Sequence, residues 1–120
     1  MTRSLVVKVT CGSDDPERCN QAFTVAAMAE TSGAEVSMWL TGEAAWFALP
    51  GGTDEFSLPK ATPLTALLAA ILAGGRVTVC AQCAARREIG EDDVIDGIRV
   101  AGAAVFAEEI LQPDVQAVVY

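Results

Sequence analysis

The sequence predicts an α/β domain with a parallel β-sheet held between helix layers. Three observations carry this. Short β-branched runs alternate along the chain with helical stretches of about ten residues or more. The first run, Ser4 to Thr10, is apolar at most positions rather than at alternate ones, as expected of a strand buried on both faces. The chain of 120 residues holds no internal repeat and no linker long enough to divide it, so residues 1–120 make a single domain.

Taken in order, Cys11 to Asp15 is the loop after that first strand, and Asp15-Pro16 reads as an N-cap followed by proline in the first turn of a helix. The helix runs to about Ser32, with Cys19, Phe23, Ala26 and Ala27 on one face, and Gly33 ends it. Glu35 to Leu40 is the second strand. Thr41-Gly42-Glu43 leads into a short helix, Ala44 to Leu49, which Pro50-Gly51-Gly52 stops. Residues 50–62 lack periodicity and form the longest irregular stretch, of the kind that serves as a lid or contact loop. From Thr62-Pro63 onward, Leu64, Leu67, Leu68, Ile71 and Leu72 fall on one apolar helical stripe, ended by Gly74-Gly75. Arg76 to Val79 is the third strand, followed by a turn at Cys80 and a helix to about Arg87. Glu91-Asp92-Asp93 is an acidic connector or a short helical turn. Gly97 to Gly102 frames a short strand, Ala103, Phe106, Ala107, Ile110 and Leu111 define a last helix, and Val115 to Tyr120 is the terminal strand.

Composition narrows the function. The net charge is −8, which argues against nucleic acid and against anionic membrane surfaces, both of which need clustered Lys and Arg. The chain begins without a signal-like apolar segment, and its longest uncharged run, Ala61 to Gly75, is too short to span a bilayer. The expectation is a cytoplasmic protein, where thiols stay reduced, so the four cysteines read as chemistry before disulfides. There is no histidine, so any catalysis falls to Cys, acidic or basic side chains, Tyr or the backbone. An apolar fraction of 52% is high for this size and is consistent with an oligomer.

Chemistry concentrates between Gly75 and Ile89. A β-run breaks into Cys80-Ala81-Gln82-Cys83 and continues as a helix carrying Arg86 and Arg87. A thiol where strand turns into helix meets unpaired backbone N–H groups, which favour thiolate. Cys80 is therefore the candidate nucleophile, against the plainer alternative of an inert strand-end cysteine. Cys83, one turn on, is either a resolving thiol or a small apolar filler. Arg86 and Arg87 are placed to favour an anion. Cys11, Thr41 and Cys80 all end strands and should share one edge of the sheet, where ligands of parallel sheets bind. Cys11 is a candidate second thiol there, and Cys19 reads as packing. A zinc site built from the four cysteines has the wrong spacing, and the expectation is no metal and no cofactor. Trp39 reads as core, and Trp46 with Phe47 as an oligomer contact. The acidic runs Asp14-Asp15 and Glu91-Asp92-Asp93 read as caps and solvated turns.

The segment from Val77 to Ile89 resembles the DsrE/DsrF-like family, the small sulfur-relay proteins related to the TusD subunit. A β-run, a cysteine, a few small or polar residues and an arginine recur there, and a single-subunit branch has Cys-x-x-Cys. The order of elements is similar over the whole chain. The resemblance implies a three-layer α/β/α domain with a five-stranded, mostly parallel sheet, assembled as a homo-trimer or homo-hexamer. It also implies that the cysteine ending the third long strand, Cys80, carries sulfur as a persulfide. Glu88 stands where the family often has glycine, so the turn there is expected to differ. The expected function is sulfur relay between donor and acceptor proteins or small thiols, as a carrier or sulfurtransferase. A non-catalytic oligomeric binding module and a thiol–disulfide protein using Cys80 and Cys83 are the alternatives.

Overall fold

Five parallel strands form one sheet in the order β4-β3-β2-β1-β5. They are β1 (Ser4–Val9), β2 (Glu35–Leu40), β3 (Arg76–Cys80), β4 (Ile98–Ala101) and β5 (Val115–Val119). The helices are α1 (Pro16–Thr31), α2 (Leu64–Gly74), α3 (Ala81–Arg86) and α4 (Ala103–Ile110). The structure, a computed structural model, describes residues 3–120. Among these residues no helix is long and apolar enough to cross a membrane.

The chain steps across the sheet in one direction from β1 to β4, then returns past all of it to lay β5 beside β1. A right-handed return in the reverse direction must cross the opposite face. The helices divide accordingly. On one face Val7, Val9, Val36, Met38, Leu40, Val77, Val79 and Ile98 meet Phe23, Ala26, Leu64, Leu67, Leu68 and Ile71 in one core. Each fully buried Leu or Ile there stabilises the fold by about 1.5–3 kcal/mol. On the other face Lys8, Ser37, Trp39 and Arg99 meet α4, and Thr78 accepts from Arg99.

The expected elements form with ends shifted by a residue or two. Asp15 caps α1 by accepting from the Arg18 N–H at 3.4 Å. Gly33 leaves that helix at a φ of +97°, a conformation glycine adopts without strain. The helix expected at 44–49 is instead a 3₁₀ helix from Gly42 to Ala48. Side chains at i and i+3 eclipse in that tighter form, which the methyls of Ala45 and Ala48 tolerate, and Ala44, Ala45 and Ala48 are fully buried. Phe47 does not form an oligomer contact. It is core, edge-on to Phe23 at 6.0 Å and to Phe56 at 5.8 Å. Trp46 alone of that pair is exposed. The acidic connector Glu91–Asp93 is a single 3₁₀ turn.

Candidate functional site

Cys80 is both the last residue of β3 and the N-cap of α3. Val77 and Val79 are buried on the core face, so the period of the strand turns Arg76, Thr78 and Cys80 to the opposite face. Ala81-Gln82-Cys83-Ala84-Ala85 then favours helix, and the first free amides of that turn meet the Cys80 sulfur. Burial is the largest single influence on this thiol and opposes its ionisation. The backbone N–H of Cys83, the Cys83 thiol, the backbone N–H of Gln82 and the charge of Lys8 together outweigh it, and the Cys80 pKa lies below the ordinary thiol value. Cys80 is partly exposed.

Cys83 is held in turn. The Gly42 N–H donates to its Sγ at 3.3 Å. Gly42 sits at a φ of +55° and a Cβ there would run into the carbonyl oxygen of Thr10, so glycine is required. The two sulfurs form a chain, with an amide donating to Cys83 and the Cys83 thiol donating to Cys80. The far end of α3 is tied down beside them. Arg87 donates to Glu43 Oε2 from Nε at 3.0 Å and Nη2 at 2.8 Å, and from Nη1 to the Cys83 carbonyl at 3.1 Å. The Trp46 indole N–H donates to the same Glu43 oxygen at 3.3 Å. With Glu43 half-exposed, this pair contributes under about 1 kcal/mol; its effect is to fix the end of α3 against the 3₁₀ helix.

The turn after α3 keeps the form that a glycine would give it. Glu88 adopts a φ of 57°, and the Ile89 N–H closes on the Ala84 carbonyl at 2.9 Å, a Schellman-type ending normally reserved for glycine.

The other expected site residues fall differently. The Thr41 hydroxyl is buried and committed to the Val9 carbonyl at 2.7 Å. Arg87 is bound to Glu43 and Arg86 is exposed, so the cation whose charge reaches Cys80 is Lys8. Cys11 and Cys19 are sealed in the core with 5% and 0% exposure. Burial, then Asp15 and Asp14, push the Cys11 thiol up despite Arg18. Burial, Cys11 and the same two aspartates push Cys19 up to about 12. All four thiols are free. Among the described residues, no group of three or more Cys, Asp or Glu side chains is arranged to hold a metal ion.

Two features were missed from the sequence. Lys8 is a lone charge inside an apolar strand, which was the available signal. The second feature is a polar network under α4. Glu109 accepts from the Ser37 hydroxyl at 2.6 Å and the Trp39 indole at 3.1 Å, and pairs with Arg99 and Arg76. Arg99 also donates to Thr78 at 3.0 Å. Burial works against the Glu109 carboxylate, but those donors hold its pKa below the ordinary range. A cavity of about 620 Å³ opens at the amino ends of the strands beside Ser4, Glu35, Arg76 and Glu109. It lies at the edge opposite Cys80 and contains no thiol.

Comparison with known proteins agrees with this architecture. The structure of the YchN protein from E. coli superposes with a TM-score of 0.77 at 17% identity, covering 100% of both chains. The protein of unknown function MTH1491 from Methanobacterium thermoautotrophicum gives 0.65 at 10% identity, covering 98% of this chain and 99% of that one. Both establish the fold. The uncharacterized protein MJ0760 of Methanocaldococcus jannaschii is 29% identical over 110 residues, 91% of this chain, and this chain spans 40% of the length of that relative. The family model for the DsrE/DsrF-like family matches residues 4–116, and the chain belongs to that family.

Proposed function

We propose that this protein relays sulfur by carrying it as a persulfide on Cys80. The observation that supports this most is the setting of Cys80: a partly exposed sulfur, where strand gives way to helix, surrounded by donors that favour its anion. The thiolate of Cys80 attacks the outer sulfur of a donor persulfide R–S–SH. A Cys80–sulfur bond forms, the R–S bond to the transferred sulfur breaks, and the donor leaves as R–S⁻. An acceptor thiolate then takes the outer sulfur from Cys80–S–SH and returns Cys80 as thiolate. Neither step changes the overall oxidation level, and neither needs histidine or metal. The protein acts as a carrier between partner proteins or small thiols, in a reducing compartment such as the cytoplasm, where its free thiols persist.

A homo-oligomer completes this reading. Leu111 beyond the end of α4 and Val119 at the end of β5 are 79% and 63% exposed, and a second copy of the chain would cover such apolar side chains. Light scattering is expected to give a trimer or hexamer.

The Cys83 thiol beside Cys80 favours a second use of the same pair. Attack of the Cys83 thiolate on the inner sulfur of Cys80–S–SH gives a Cys80–Cys83 disulfide and releases HS⁻. The two thiols are oxidised and the sulfane sulfur is reduced, so an external dithiol must then reset the pair.

Intact-mass spectrometry after incubation with a small-molecule persulfide tests the carrier reading. One extra sulfur is expected on the wild type, lost on adding an acceptor thiol and absent in Cys80→Ser. Loss of two hydrogens without gain of sulfur would instead favour the disulfide role, and no change in either would overturn both.

A further inference from the structure

Lys8 is the penultimate residue of β1, near its carboxyl end and on the face that Cys80 also presents. Along the register, Lys8 pairs with Trp39, Trp39 pairs with Thr78, and Cys80 is the next residue of β3 on that face. Its ammonium is held 4.8 Å over the ring of Phe106, and Phe106 stands edge-on to Trp39 at 5.3 Å. A lysine packed against an acidic helix would ordinarily find a carboxylate. Glu109 is occupied by Arg99, Arg76, Ser37 and Trp39, and Glu108 is exposed. On the layer behind Cys80, Arg87 is neutralised by Glu43 and Arg86 points to exposed surface. Among the described residues Lys8 makes no ion pair.

We propose that Lys8 is the positioning cation of the Cys80 site, holding the thiolate and its persulfide anion and drawing in sulfane-sulfur donors that carry negative charge. The physical need is plain. The protein carries a net charge of −8, so an anionic donor approaches against repulsion unless a local cation offsets it. With thiosulfate, the Cys80 thiolate bonds to the outer sulfur, the sulfur–sulfur bond of the donor breaks, and sulfite leaves with the electron pair. The negative charge gathered at Cys80 in that step is what Lys8 opposes. The Phe106 ring fixes the ammonium by a cation–π contact without neutralising it, which a carboxylate would do. The donor preference rests on the carrier reading above; the effect on the thiolate does not.

The test compares Lys8→Met, which keeps the stem over Phe106, with Lys8→Arg, which keeps the charge, in the full chain. Alkylation of Cys80 is followed by peptide mass spectrometry against pH, with neutral iodoacetamide and anionic iodoacetate. In Lys8→Met the midpoint is expected to rise by about half a pH unit, slowing iodoacetamide about threefold at neutral pH. The iodoacetate-to-iodoacetamide rate ratio is expected to fall severalfold, and Lys8→Arg to retain both. A structural role for the lysine would not move that ratio. An unchanged midpoint and ratio in a Lys8→Met protein with native circular dichroism would overturn the proposal; should that variant fail to fold, Lys8→Gln is read the same way. Because alkylation needs no sulfur donor, a protein that never loads sulfur can still bear the inference out, and one that loads it can still overturn it.

Discussion

Two pairs of cysteines lie toward the same end of the sheet in opposite environments. Cys11 and Cys19 sit in the core with two aspartates at the mouth of their loop, and every major influence on Cys19 disfavours charge. Cys80 meets burial too, yet two amides, a neighbouring thiol and a lysine reverse its effect. The difference is not the residue type or the sheet edge but the depth of burial, the sign of the nearby charges and the local backbone. Cys19 is within α1, where its own N–H already bonds the Asp15 carbonyl at 3.0 Å. Cys80 precedes a helix whose first amides have no other partner.

The comparison can be broken most sharply by residue-resolved alkylation under native conditions. At pH near neutral Cys80 is expected to react at least about a thousandfold faster than Cys19, whose thiolate is scarce and sealed away. Comparable rates for the two would erase the distinction.

Stability separates the regions next. Cys19→Ser puts a hydroxyl among Phe23 and the alanines of α1 and is expected to cost about 1–3 kcal/mol in urea unfolding, with sulfur loading at Cys80 unchanged. Glu109→Ala strips the partly buried Arg99 of its counter-charge, with a similar expected cost of about 1–3 kcal/mol. The Glu109 pKa is depressed in the fold, so its contribution is present above the unfolded pKa and lost as pH falls through the folded one. Unfolding experiments should therefore show wild-type stability dropping below about pH 4, and Glu109→Ala flattening that drop.

Smaller effects sharpen the Cys80 half of the comparison. Cys83→Ala removes one donor to Cys80 and is expected to raise its alkylation midpoint, slowing the reaction about threefold to tenfold at neutral pH. Cys83→Ser, which retains a donor, should recover most of that rate but form no disulfide. Glu88→Gly relieves the left-handed backbone at the end of α3 and is expected to stabilise the protein by up to about 1 kcal/mol in thermal melts, leaving Cys80 reactivity as it was.

The fold was legible because its signals are local. The β-branched runs at Val6–Val9 and Val77–Val79, the stripe from Leu64 to Ile71 and the cap at Asp15 each specify their element within a few residues. The turn at Cys80 was legible for the same reason. What the sequence hid depends on register and on the second face of the sheet. Lys8 reaches Cys80 only because β1, β2 and β3 pair as they do, and Glu109 meets Ser37 from 72 residues away. Arg87 looked free because its partner Glu43 belongs to another element. Phe47 looked like a surface aromatic because its ring partners, Phe23 and Phe56, belong to other parts of the chain.

The most direct test of the account is to load the protein from a sulfane-sulfur donor and map the added sulfur by peptide mass spectrometry. The expected result is one sulfur on Cys80, none on Cys11 or Cys19, and no uptake anywhere in Cys80→Ser. Sulfur found on Cys11 or Cys19 with Cys80 left bare would contradict it.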